Sequence, residues 1–312
     1  MAQPAAQEFS TWSSASQDSG ATNPTVANIF QALQAIHDRS STNETRQQAS
    51  QFLESQKRDE SAVQNGYLLA SERDNPPLVR HFGLSLLENV LKHQSATLSA
   101  TQAGQLRVLV LNLSSQIQPQ DPSFVRNKVA TLWAEISKRT WGLEWVGMDE
   151  DLVQLWNVSL THKGFVLTVL ETLSEDVIHH EDTVSSLRGT DLNRALVEVF
   201  TPVAVYQTLY QDREQHPVGL RHGNEGWLFR ISSLLNECVQ NIGAANVKSC
   251  ALKALAALRS AMAWSIPRAI SWAQCVPAIV KALRCEDEEI LMVSAACWFF
   301  NMTITDYQYR PQ

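Results

Sequence analysis

Apolar residues in this chain recur every three or four positions, and the intervals between such stretches hold prolines, glycines and short polar runs. The clearest case is residues 124–156. From Val125, apolar side chains return at Val129, Leu132, Trp133 and Ile136, which is one face of a helix. Asp121-Pro122 supplies an N-cap candidate and a proline suited to the first helical turn. Lys138 and Arg139 sit where cations favour a helix C-terminus. Gly142 to Gly147 interrupts the pattern, and Asp149 to Asp151 place acids where another helix begins. The pattern predicts a helix, a tight bend carrying Trp141 and Trp145, and a second helix.

The same reading extends along the chain. Val26, Ile29, Phe30, Leu33 and Ile36 share a face, and Asn43 is placed to cap a helix whose stripe is Ala49, Phe52 and Leu53. A third helix is predicted over 60–71, and a fourth opens at Pro76-Pro77. A fifth starts at Ser99 or Thr101. Beyond the central bend, helices are predicted over 149–162, 164–179, 190–211 with a break at Pro202, 227–242, 247–264, 269–283 and 286–302. Residues 212–224 read as the longest loop, and 1–23, rich in Ser, Ala, Gln and Thr, as a disordered tail in which Trp12 is a chance aromatic. Alternating β-branched runs are missing. Similar helices recur every ~35–60 residues in pairs, and repeats of about 40–47 residues built from helix pairs mark HEAT or armadillo arrays, so the expected fold is all-α, an α-solenoid of HEAT-like helical hairpins, with a globular helical bundle as the competing architecture.

Composition narrows the function classes. The formal net charge of −7 argues against a general nucleic-acid binder, which needs clustered Lys and Arg, and suits a basic partner. The five cysteines are an odd number, none in a CxxC pair, and most lie in apolar helical runs. They read as buried thiols in a reducing compartment. No leader pattern opens the chain and no apolar run is long enough to cross a membrane, so a soluble intracellular protein without membrane insertion is expected, and the N-x-S/T sequons carry no meaning. His179-His180-Glu181-Asp182 resembles a metal cluster, but adjacent residues cannot face one ion from a regular helix. Trp133, Trp141, Trp145 and Trp156 read as core rather than as a ligand cage. Phosphate-binding glycine loops, HExxH and Cys-His nucleophile patterns are absent, so no enzyme and no cofactor are expected.

Three motifs then occur in order. Glu44, Arg46, Gln48, Ala49, Leu53 and Glu54 form the first; Val79-Arg80-His81-Phe82-Gly83 running into Leu86-Leu87-Glu88 forms the second. The third is Val125-Arg126-Asn127-Lys128 followed by Glu135, Lys138-Arg139, Trp141 and Trp145. Together they resemble the N-terminal region of importin-β-type karyopherins. The stretch 165–178 followed by Ser186 to Leu192, SLRGTDL, is similar to the exportin-five and Msn5-like branch of that family, and the likeness covers about residues 25–300. One departure is Gly142 and Val146 where the family commonly has proline after each tryptophan, which leaves the stiffness of the turn open.

The resemblance implies a nuclear export receptor that binds the GTP form of the small GTPase Ran, carries cargo through the pore, meets nucleoporins and shuttles between nucleus and cytoplasm. Its candidate Ran-binding residues are Glu44, Arg46, Glu54, Arg80, Glu88, Lys92, Asn127, Lys128 and Glu135, each also readable as part of a merely solvated helix face. Residues 24–162 would form the Ran-binding repeats and 163–312 the exportin-type repeats. Cargo would be a phosphoprotein or a structured RNA in the full-length receptor. A Ran-independent HEAT-repeat scaffold is the alternative, and a helical enzyme with an unfamiliar motif a distant third. Receptors of this kind are several times longer, and the last predicted helix ends on apolar Trp298-Phe299-Phe300, so the sequence reads as a piece of a longer protein.

Overall fold

Each apolar stripe becomes the buried side of a helix. The computed structural model describes residues 24–94, 99–179, 183–210 and 219–308. The tail assigned to 1–23, the 180–182 part of the histidine-acid cluster and the 212–218 part of the long loop lie outside them. The described residues divide into two compact units, one within Met1–Asn65 and one within Gly66–Gln312.

In the first unit, α1 (Pro24–His37) buries Ile29, Ala32 and Leu33, and packs against α2 (Asn43–Gln56), which buries Ala49 and Leu53. The cap of α2 differs from expectation. Thr42, one residue earlier, accepts the Thr45 amide at 3.2 Å, so Asn43 is already helical.

The second unit is entered by α3 (Ala62–Ser71), which meets α4 (Pro77–Asn89) through Gly66 and Gly83. A β-carbon on Gly83 would stand 2.5 Å from the Gly66 carbonyl oxygen, so only glycine allows these backbones to approach. α4 runs into a π-helical turn, Val90–Gln94. Then come α5 (Ala100–Ser115), opened by a reciprocal Ser99–Gln102 capping box, α6 (Ser123–Thr140), α7 (Met148–Trp156) and α8 (Leu160–His179). α9 (Thr183–Phe200) and α10 (Val203–Tyr210) are separated at Thr201-Pro202, where the proline cannot continue the ladder. α11 (Gly226–Gln240), α12 (Ala245–Met262), α13 (Pro267–Trp272), α14 (Cys275–Ala282) and α15 (Glu288–Gln308) complete the series.

Within this unit α4, α6, α8, α12 and α15 are successive neighbours in one row, while α5, α7, α9, α11 and α14 pack against that row. This is a solenoid of HEAT-like hairpins, all-α among the described residues, with a single backbone bridge between Trp141 and Trp145. No described helix is long and apolar enough to cross a membrane.

Several boundaries and one cap are corrected, and the helix expected to start at 190 begins at Thr183. The helix expected over 269–283 is two, because Gln274 takes a left-handed conformation at φ 57°. The break expected near residue 163 falls at 157–159 instead. Asp121 does not cap α6; its carboxylate is engaged by Arg73, Arg80 and the Gln118 amide.

The tryptophans are core: Trp133, Trp141, Trp145 and Trp156 are all buried, with Trp133 against Trp145 and Phe165. The turn that lacks the family's prolines is fastened another way. The Leu143 and Trp145 amides both donate to the Thr140 carbonyl, and Gly142 supplies the positive φ of 75°. Arg188 of α9 donates to the Lys138 and Trp141 carbonyls at 2.7 Å each, and Arg107 of α5 to Glu144 at 2.7 Å. Hydrogen bonds from two neighbouring helices do the stiffening.

Candidate partner-binding face

The candidate residues of the second unit lie along the seam where α4 packs beside α6. Their spacing on α4 and the π-helical turn after it (Arg80, Glu88, Lys92) and on α6 (Asn127, Lys128, Glu135) keeps them off the apolar stripes, but off the stripe does not mean in water. Arg80 is only 9% exposed and donates to an Asp121 oxygen at 2.7 Å and to the Ala70 carbonyl. Glu135 is 3% exposed, held by Lys138 at 2.9 Å and Arg139 at 2.7 Å. The expectation of a solvated face is therefore corrected at these two positions: each is a charge taken inward by a partner on a neighbouring turn or helix.

The seam carries a relay of opposite charges. Lys128 reaches Glu88 across the two helices. The π-helical turn brings Lys92 to 3.1 Å from the other Glu88 oxygen and 3.7 Å from Glu135. Lys138, 1% exposed along its side chain, joins Glu135 to Asp176 of α8 at 2.6 Å. The relay thus ties α4, α6 and α8 together. Burial opposes the charge of Glu88, yet hydrogen bonds from Lys128 and Lys92 and their positive fields outweigh it and hold the carboxyl below its usual value. Burial likewise opposes the charge of Lys92, but Glu88 and Glu135 raise its pKa. Asp121 follows the same pattern: burial against, Arg73 and Arg80 for, with a lowered result.

What remains accessible is narrower. Asn127 is exposed, Lys92 is 42% exposed along its side chain, and Lys128 is half-buried. At the N-terminal ends of the same two helices Leu78 and Phe124 are exposed, with the His81 ring edge-on to Phe124 at 5.5 Å. In the first unit, Glu44 is exposed in the first turn of α2, and Glu54 is exposed and paired with Lys57 at 2.5 Å. The Arg46 guanidinium is given to the α1–α2 turn, donating to the Asp38 and Arg39 carbonyls.

Sequence reasoning missed Asp121, Lys138, Asp176 and Arg188 as organisers. The partners that tie them to other helices lie 38 to 50 residues away along the chain, so no local period marks them. Among the described residues, no three His, Cys, Asp or Glu side chains converge as a metal site. The seam offers charge, amide and aromatic edges, the equipment of recognition.

Comparison with known proteins fits this architecture. A family model described as "Exportin 1-like protein" matches residues 122–298, more than half of the chain. Protein MSN5 of Saccharomyces cerevisiae is 27% identical over 259 residues, covering 78% of this chain and 21% of that protein. Exportin-5 of Dictyostelium discoideum is 25% identical over 172 residues, 55% of this chain and 15% of that protein. Exportin-5 of Mus musculus is 26% identical over 179 residues, 56% and 15% respectively. The chain therefore spans between 15% and 21% of the length of these relatives.

Proposed function

We propose, from the fact that this chain belongs to the exportin 1-like protein family, that it is a segment of a nuclear export receptor and that it binds the GTP form of Ran. Family membership carries the reading, with relatives named Exportin-5 in two organisms. The accessible part of the α4–α6 seam, Lys92, Asn127 and Lys128 with Leu78 and Phe124 beside them, supports a contact there. Glu44 and Glu54 of α2 are the candidates in the first unit. Residues 24–162 form the Ran-contacting repeats in this reading, and 163–312 the exportin-type repeats.

The mechanism needs no chemistry on this chain. GTP orders the switch loops of a small GTPase and hydrolysis releases them. A rigid row of helices that fits only the ordered loops binds the two nucleotide states with different free energies, and that difference is the whole device. The relay from Lys128 to Asp176 serves it by fixing α4, α6 and α8 relative to each other. In the full-length receptor, cargo (a phosphoprotein or a structured RNA) and GTP-bound Ran would bind with positive coupling and leave together on hydrolysis. Passage would bring it against nucleoporins, and it would reside in both nucleus and cytoplasm.

The test is direct. The 312-residue chain is immobilised and titrated with Ran locked in the GTP state and, separately, in the GDP state. Binding of the GTP form alone is expected, weakened by joint replacement of Asn127 and Lys128 with alanine. Equal binding of the two forms, or of neither by a folded sample, would favour the Ran-independent scaffold.

A further inference from the structure

Away from the α4–α6 seam, three cations gather where the N-terminal part of α8 meets α6 and α12. The Lys253 ammonium of α12 lies over the first turns of α8, donating to the Thr168 hydroxyl at 2.8 Å and the Gly164 carbonyl at 3.2 Å. Its stem passes 3.6 Å from where a β-carbon on Gly164 would be. Lys163, the residue before Gly164, has its ammonium 5.5 Å from the centre of the Trp156 ring. Arg126, on the first turns of α6, donates to the Pro119 carbonyl at 3.1 Å. Among the described residues each is met by a neutral acceptor or a ring, and none by a carboxylate at ion-pairing distance. All three are half-buried.

That arrangement is electrostatically unrelieved. Burial disfavours the charge of Lys253 and the nearby Arg126 guanidinium disfavours it further, against a weaker pull from Glu171; the pKa falls as a result. The N-terminal ends of α6 and α8 add the positive ends of two helix dipoles. An anion arriving here would neutralise three charges and, unlike at the α4–α6 seam, would displace no existing carboxylate.

We propose that Arg126, Lys163 and Lys253 form a recognition point for a short acidic segment of a partner protein, a site separate from the α4–α6 seam and independent of it. A peptide carboxylate fits better than a nucleic-acid strand. The cations belong to the first turns of α6, the start of α8 and the α12 lysine laid over it rather than to a track along one helix, and Glu171 and Glu175 follow on α8, where a continuous phosphate backbone would be repelled. The chain as a whole carries a net charge of −7.

The experiment titrates the full chain with a fluorescein-labelled oligoglutamate peptide at low salt and follows anisotropy, with an oligouridylate of equal length as the second probe. The peptide should bind, weaken with added salt, and lose at least about tenfold in affinity in the Arg126→Gln/Lys253→Met variant. Lys248→Gln, which removes a cation already paired with Asp287 and Glu289, should leave affinity within about twofold. Arg126→Gln alone provides the test if the double variant does not fold by circular dichroism. Failure of the peptide to bind, an affinity indifferent to these substitutions, or preferential binding of the oligouridylate through the same residues would overturn the proposal.

Discussion

Two regions of the second unit use the same residue types to opposite ends. Along the α4–α6–α8 seam every described Lys, Arg or acid of the relay has an opposite charge within reach, from Lys128 through Glu88, Lys92, Glu135 and Lys138 to Asp176. At the α6–α8–α12 corner, Arg126, Lys163 and Lys253 have none at that distance. Side-chain identity and helical position are alike in the two places; what differs is the neighbour supplied by the next helix. A paired buried charge holds helices in register, while an unpaired half-buried one stores attraction for something else. Breaking the first region should cost stability, and breaking the second should cost binding.

The largest effect is expected at Lys138. Lys138→Ala removes a cation of 1% side-chain exposure and with it the bridge from Glu135 to Asp176. Loss of a buried ionic partner costs about 3–5 kcal/mol, which urea unfolding would read directly. Trp133→Ala should cost a similar amount, about 3–5 kcal/mol, by leaving a cavity against Trp145 and Phe165. If Lys138→Ala cost far less than the tryptophan change, the relay would not be what holds α6 to α8.

Next comes Asp121, which joins Arg73 at 2.9 Å and Arg80 at 2.7 Å. Asp121→Asn keeps the shape and removes the charge, for an expected loss of about 1.5–3 kcal/mol at neutral pH. The same residue sets a pH dependence. Asp121 and Glu88 both have lowered pKa values when folded, so the unfolded chain binds more protons below about pH 4, and their contribution disappears as pH falls through that range. Stability measured from neutral to acid pH should decline there in the native chain and decline less steeply in Asp121→Asn/Glu88→Gln. An unchanged slope would mean that these carboxylates are no better stabilised folded than unfolded.

How much of this was legible beforehand follows from the range of each interaction. The 3.6-residue period marked the helices, because the stripe Val125, Val129, Leu132, Trp133 and Ile136 is a local pattern. The break at Pro202 was equally local. The break at Gln274 was not, since a left-handed glutamine leaves no mark in composition. The candidate face divides in the same way. Asn127 and Lys92 could be placed off the apolar stripe from spacing alone, but the burial of Arg80 and Glu135 depends on Asp121, Lys138 and Arg139 being brought to them. Helical periodicity records which side faces the core; it does not record that a charge can be buried when another helix answers it. Arg188 shows the limit most plainly: its motif was visible, while its task, holding the Lys138 and Trp141 carbonyls, required the fold.

The smallest stability effect is expected where the comparison is sharpest. Lys253→Met removes a half-buried cation that meets only neutral acceptors and keeps the apolar stem over Gly164. Two small terms oppose each other: hydrogen bonds to Gly164 and Thr168 are lost, and the burial penalty of the charge is relieved. The net change should stay within about 1 kcal/mol and can favour the variant. Its pH signature is more telling than its size. The folded pKa of Lys253 lies below the ordinary lysine value of 10.5, so the unfolded state binds more protons between the two. Stability from this group therefore rises as pH increases through that interval, the reverse of the acid-side carboxylate effect only in where it falls, not in its sign. In alkaline titrations monitored by urea unfolding, the native chain should gain stability relative to Lys253→Met as pH approaches that value. A parallel pair of curves would show that the corner is electrostatically relaxed, and the contrast with the α4–α6–α8 relay would be lost.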